Sequence, residues 1–243
     1  MNPPIFAIAG SRGGARKSAL CLGLIAHYRR KLLVVDLDPD ARITSAFGVP
    51  PDSSRLASFL KGEMVVSPAR AGGATLLPGG PALKNLNNPR PLRNAIADLA
   101  NSANDHSEEN IAAWPSFAGV MVDCPSGYPT LETLALCAAN VVLIVVEPEQ
   151  FRFDEVFSVL NKVRTLGTRP NCAIVTGRRD ECGQTRDTVG QLAGTFNTAV
   201  LEARACRTPH AEQNIANLLS ENSGFEDDVK NVAAWLDLHP APR

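Results

Sequence analysis

The 243-residue chain is predicted to fold as one α/β domain, a doubly wound, mostly parallel sheet with helices on both faces. Three observations carry that prediction. Short apolar runs alternate with longer helical stretches, the order expected of parallel strands joined by right-handed crossovers. Most of the runs are continuously apolar rather than alternating, as in strands covered on both faces. A Gly-rich segment ends the first run and opens a helix, which is the context of a phosphate-binding loop.

The elements follow in order. Residues 5–9 (IFAIA) form the first strand, and 17–30 the helix after the Gly-rich turn. Residues 32–36 (LLVVD) form a second strand that ends in carboxylates, followed by a helix over 54–61. Strand 74–77 and helix 91–100 come next, then strand 119–123 and helix 130–138. Strand 141–146, helix 154–166 and strand 172–176 continue the alternation, and two or three helices fill the stretch after Gln184. Residues 101–116 (NSANDHSEENIAAWPS) are the most polar segment and read as a surface excursion from the single domain, residues 1–243. Residues 229–238 carry Val229, Val232, Ala233 and Leu236 at helical spacing, with Lys230 as their only cation. That pattern suits core packing better than a basic membrane-surface helix.

Composition removes several classes. Hydrophobic residues make up 44% and charged residues 20%, ordinary globular proportions. A formal net charge of −1 gives no whole-molecule attraction for nucleic acid or anionic lipid, so either would need a local patch. No uncharged apolar run reaches the length of about 18 residues that suggests a membrane span, and the start of the chain lacks the basic flank of a signal peptide. The 6 cysteines have no C-x-x-C pair and lie in mostly apolar contexts, as buried thiols in a reducing compartment would; the expected location is cytoplasmic. The 4 histidines are scattered and suggest no metal set.

The first chemical motif is Gly10-Ser11-Arg12-Gly13-Gly14-Ala15-Arg16-Lys17-Ser18. Backbone N–H groups of such a loop wrap a phosphate, aided by the positive end of the following helix dipole. Gly13, Gly14, Ala15, Arg16, Lys17, Ser18 and Ala19 are the candidate nucleotide-contacting residues, Lys17 reaching the β- and γ-phosphates and the Ser18 hydroxyl holding Mg²⁺. The second strand ends in Asp36-Leu37-Asp38-Pro39-Asp40, carboxylates too costly to bury without a cation, a donor or water. Asp40 equally suits a cap on the next helix. A further aspartate ends the strand over 119–123, in Asp123-Cys124-Pro125-Ser126-Gly127.

These segments resemble, in order, the motifs of the ParA/MinD family of deviant Walker A P-loop ATPases. R-G-G-A-R-K-S is similar to K-G-G-x-G-K-[ST], with Arg12 where the family has its signature lysine and Arg16 in place of a glycine. Val35-Asp36-Leu37-Asp38-Pro39-Asp40, at the end of strand 32–36, resembles V-D-x-D-P-Q, with Asp40 in place of glutamine. D-C-P-S-G resembles D-x-P-P-G, with Ser126 as the departure. Leu76–Leu83, Leu134–Val141 and Val145–Glu149 resemble the family's L-x-P-[AG]-x-x-x-L, A-L-x-A-A-D and V-x-P segments. The resemblance runs from about Ile5 to Gly177, and more faintly to the end.

The resemblance implies a short ParA-like partition protein that binds ATP or ADP with Mg²⁺ and dimerises with ATP. Lys17, Asp38 and Arg12 take the catalytic roles: Asp38 orients the attacking water, and Arg12 crosses the dimer interface. Ser18, Asp36 and Asp123 form the metal side, Asp123 through water. The family's C-terminal region approaches the base and, in DNA-segregating members, grips nonspecific DNA; Arg178, Arg179, Arg204 and Arg207 are the candidates here, a solvated ionic face being the other reading. The implied partner is a ParB-like stimulating protein, and only residues 1–9 precede the loop, too few for an N-terminal helix-turn-helix. Two alternatives stay open: a catalytically weak nucleotide-binding scaffold, and a positioning ATPase for a protein machine such as a conjugation apparatus.

Overall fold

The computed structural model describes residues 3–10, 16–28, 32–51, 54–64, 66, 68–71, 74–102, 117–146, 153–176, 186–203 and 223–238. The order is β1 (Ile5–Ala9), α1 (Lys17–Tyr28), β2 (Leu32–Asp36), α2 (Arg42–Ala46), α3 (Ser54–Lys61), β3 (Ala69–Ala71) and β4 (Ala74–Leu77). A 3-10 turn (Pro81–Asn85) leads to α4 (Leu92–Ser102), β5 (Gly119–Asp123), α5 (Pro129–Ala138), β6 (Val141–Val145) and α6 (Phe153–Thr165). The chain closes with β7 (Asn171–Thr176), α7 (Arg186–Phe196), β8 (Ala199–Glu202) and α8 (Ser223–Leu238).

The strands form one sheet in the order β3-β4-β2-β5-β1-β6-β7-β8. All neighbours are parallel except β3, which runs antiparallel to β4 at the edge. The doubly wound prediction therefore holds. The central strands β1, β2, β5 and β6 consist of buried residues almost throughout, which is why their sequences do not alternate. One apolar layer packs α3, α4, α5 and α6 on one face, through residues such as Phe59, Ile96, Leu136 and Val159. The other packs α1 and α8, through Leu22, Ile25, Val229 and Leu236.

The predicted helix over 229–238 is the second half of α8, with Val229, Val232, Ala233 and Leu236 all buried, so its apolar stripe faces the core. Gly23 lets α1 and α8 approach: a Cβ there would lie 2.7 Å from Val229 and 2.8 Å from the Phe225 ring. Tyr28 fixes the other end, its hydroxyl donating to the Ala233 carbonyl at 3.1 Å and bonded to the Asp237 carboxylate at 3.0 Å.

Among the described residues four short elements are additions to the predicted set: α2, β3, the 3-10 turn and β8. Residues 101 and 102 end α4 rather than beginning an excursion; 103–116 lie outside the described residues. Among the described residues no helix is long and apolar enough to cross a membrane.

Chain order reverses on either side of β1, whose neighbours are β5 and β6. That switch point is where doubly wound sheets open a crevice outside the carboxyl ends of their strands. Lys17, Asp38 and Asp123 all stand there.

Candidate nucleotide site

Gly10 leaves β1 and α1 begins at Lys17. A Cβ on Gly10 would lie 2.7 Å from the Val145 carbonyl oxygen, so only glycine lets the chain leave between β1 and β6. Arg12, Gly13, Gly14 and Ala15 lie outside the described residues. Arg16 is described and takes φ 57, a left-handed conformation that suits glycine. Its carbonyl accepts the Leu20 N–H at 3.1 Å, so this strained residue starts the ladder of α1. Replacing Arg16 with glycine is expected to stabilise the fold by roughly 0.5–1 kcal/mol, by relief of the αL cost. Denaturant unfolding of Arg16→Gly against wild type measures it.

Lys17 and Ser18 are each 7% exposed, on the first turn of α1. Ala19 is buried beside them. The Lys17 ammonium donates to Ser126 Oγ at 2.6 Å, and Ser126 Oγ donates to the Gly10 carbonyl at 3.3 Å. Burial lowers the Lys17 pKa, with the negative charge of Asp123 opposing it. Ser18 Oγ donates to Asp123 Oδ2 at 2.8 Å. The second oxygen of that carboxylate, Asp123 Oδ1, is buried and without a hydrogen-bond partner among the described residues.

Asp123 is the register partner of Asp36 on the adjacent parallel strand, so two carboxylates lie side by side at the strand ends. Burial first, then the charge of Asp36, pushes Asp123 up to about 8. Asp36 is itself raised to about 6, mainly by burial and against the hydrogen bonds it accepts. Its Oδ1 accepts the Asp38 N–H at 3.0 Å, and its Oδ2 accepts the Thr44 N–H at 2.9 Å and the Thr44 hydroxyl at 2.7 Å. Thr44 Oγ1 in turn accepts the Gly79 N–H at 2.8 Å. Asp36 thus ties β2, α2 and the loop after β4 into one support.

Asp38 hangs from that support. It is buried, its Oδ1 accepts the Asp40 N–H at 2.9 Å, and Arg42 lies 3.8 Å from its Oδ2. Arg42 also lies 3.7 Å from Asp40. Asp40 does not cap the next helix: the N-cap of α2 is Ala41, which has φ 52 and no side-chain cap bond. Gly79 closes the support from the other side. A Cβ there would meet the Asp36 carbonyl oxygen at 2.6 Å and that of Asp38 at 2.8 Å. These are backbone atoms that cannot rotate away, so Gly79→Ala is expected to cost about 2 kcal/mol of stability, the scale of overpacking in a closed site. A drop in unfolding midpoint checks it.

The residues fit a hydrated divalent cation with a bound phosphate. Among the described residues no group of three or more His, Cys, Asp or Glu could hold a metal alone. Mg²⁺ is usually bound by one or two carboxylates, waters and substrate phosphates rather than by an all-protein cage. A buried orphaned carboxylate oxygen beside a hydroxyl supplies that protein share. The structure brings Lys17, Ser18, Asp36, Asp38 and Asp123 together at the strand ends. Arg178, Arg179, Arg204 and Arg207 lie outside the described residues. Thr44, Arg42 and the grip of Ser126 on Lys17 went unseen in the sequence; only the departure of Ser126 from the motif marked any of them.

No family model matches the chain. An uncharacterised protein of Pseudomonas putida is 26% identical over 179 residues, 69% of this chain and 65% of that one. The chromosome-partitioning ATPase Soj of Thermus thermophilus is 28% identical over 166 residues, 64% of this chain and 59% of that one. The match thus spans less than two thirds of either relative's length. Among solved structures, a plasmid partition protein of Borrelia burgdorferi bound to AMPPNP superposes with a TM-score of 0.73 at 18% identity, over 96% of this chain and 98% of that one. A cobyrinic acid a,c-diamide synthase of Mycobacterium smegmatis with ADP and magnesium gives 0.68 at 23% identity, over 99% and 98%. The solved structures share the fold; by motif order and by its sequence relatives, Soj among them, the chain is similar to the ParA/MinD family of P-loop proteins.

Proposed function

We propose that the chain is a Mg²⁺-dependent ATP-binding switch with slow ATPase activity, working as an ATP-dependent dimer in plasmid or chromosome partition. The observation that carries the nucleotide site is the Ser18–Asp123 bond: the phosphate-loop hydroxyl donates to Asp123 Oδ2 at 2.8 Å, and Oδ1 of the same carboxylate is buried and left over among the described residues. Ser18 and Asp123 would hold a hydrated Mg²⁺ there, whose chemistry would be to neutralise charge on the phosphates. Lys17 holds the β- and γ-phosphates, and backbone N–H groups from Gly13 to Ala19 cradle them. Asp38, fixed by Asp40 and Arg42, orients the water for in-line attack. Arg12 of each protomer serves the partner's nucleotide.

The partition role rests on the relatives: Soj is named a chromosome-partitioning ATPase and the Borrelia neighbour a plasmid partition protein. In that role the ATP dimer binds nonspecific DNA, with Arg178, Arg179, Arg204 and Arg207 as candidate phosphate contacts, and a ParB-like protein stimulates its release. Steady-state phosphate release tests the enzyme. Asp38→Ala is expected to reduce kcat at least about a hundredfold while leaving ATP binding intact, the pattern of a group acting in the transition state. Equal turnover in wild type and Asp38→Ala would remove Asp38 from the reaction.

The left-handed Arg16 favours a second reading, a nucleotide-binding scaffold without turnover. Wild type that binds ATP but releases no phosphate, with release appearing in Arg16→Gly, selects it.

A further inference from the structure

Ser126 sits where the resembling motif has proline, in the loop between β5 and α5. Its hydroxyl has two partners that belong to the phosphate loop. It accepts from the Lys17 ammonium at 2.6 Å and donates to the Gly10 carbonyl at 3.3 Å. Lys17 is 7% exposed, so its ammonium has few waters to replace a lost acceptor. Gly127 follows at φ 82, exposed and with nothing within 4 Å of a Cβ built on it, so the loop is open to solvent at that point. One side chain therefore fastens this open loop to the strand end and the lysine of the phosphate site.

We propose that Ser126 is a positioning residue of the nucleotide site, presenting the Lys17 ammonium to the phosphates and tying the loop after β5 to the state of that lysine. An ammonium carries three donors. A bond to Ser126 is therefore compatible with bonds to phosphate oxygens, and it need not break when nucleotide enters. The hydroxyl fixes the flexible end of a long side chain before binding, and that ordering is then not a cost of binding. Proline could do neither, having no hydroxyl. The proposal rests on the nucleotide-site reading and adds to it a residue specific to this chain.

Two measurements on the full chain test it. The first uses no nucleotide: amide hydrogen exchange of Gly127 and Tyr128 in wild type, Ser126→Ala, Lys17→Gln and the double variant. Exchange should quicken roughly fivefold in each single variant and no further in the double, as for two ends of one contact. Ser126→Thr, which keeps the hydroxyl, should stay near wild type. Additive effects, or none, overturn the proposal even if every variant folds.

The second is calorimetric titration of Mg²⁺-ATP and Mg²⁺-ADP. Ser126→Ala should weaken both about three- to tenfold, with Ser126→Thr restoring them. Tighter binding in Ser126→Ala would show that the hydroxyl competes with phosphate, and would overturn the positioning role. Wild type that binds no nucleotide defeats the nucleotide reading instead, while the exchange experiment still decides whether Ser126 fastens the loop to Lys17.

Discussion

Lys17→Ala is expected to lower the affinity for Mg²⁺-ATP at least about a hundredfold, or ~2.7 kcal/mol, while the protein stays folded. The size follows from the bonds lost: two charge-assisted donors to phosphate, each worth roughly 1.5–3 kcal/mol in a desolvated site. The retained fold follows from the same burial. The Lys17 ammonium is 7% exposed, and its desolvation already lowers its pKa, so the charge is held there at a cost to the free protein. Removing it relieves that cost, against the loss of contacts that include the bond to Ser126. Calorimetric titration with a parallel thermal melt separates the effects. Lost affinity with an unchanged or higher melting temperature is the expected result.

Asp123→Asn should act in opposite directions on stability and on the metal. In the metal-free protein Asp123 is pushed up to about 8, from 3.8, by burial and by Asp36, and Asp36 to about 6. A carboxyl with a raised native pKa binds its proton more tightly folded than unfolded. Stability therefore falls as pH rises through the window from 3.8 to about 8, and the loss is complete above it. Asparagine carries no charge and removes the Asp123 share of that slope. At pH 8.5 without Mg²⁺ the variant should be more stable than wild type by roughly 1–3 kcal/mol, the scale of a buried unsatisfied polar group. At pH 5 the two should nearly coincide. Mg²⁺ with nucleotide should stabilise wild type and leave the variant almost unmoved. Denaturant unfolding at both pH values, with and without Mg²⁺-ADP, gives all four comparisons.

The sheet was legible because its central strands are apolar on both faces. Runs such as Leu32–Asp36 and Gly119–Asp123 can be little else in a chain that alternates them with helices. The elements that escaped are short and local in sequence, and tertiary packing decides them. α2 has five residues and stands on the Asp36–Thr44 bonds, a contact that only the folded β2 end can offer. β3 is a three-residue edge strand, and β8 is a four-residue edge strand of half-buried residues.

At the site, strand ends and loop spacing announced Lys17, Ser18, Asp38 and Asp123. The supporting bonds did not announce themselves. Thr44 is eight residues from Asp36, and Ser126 is 109 from Lys17, distances at which no spacing rule speaks. Arg16 was legible as a departure from a glycine, and its φ of 57 gives the physical reason that a glycine suits the position.

The most direct test of the central claim is calorimetric titration of ATP into wild-type protein, with Mg²⁺ and again with Mg²⁺ chelated. Saturable binding of one ATP per chain is expected with Mg²⁺, weakened at least about tenfold, or ~1.4 kcal/mol, without it. That difference is the contribution of Ser18 and the orphaned oxygen of Asp123. No heat of binding at millimolar ATP in either condition would contradict it, and would mean that the phosphate loop of this chain holds no nucleotide.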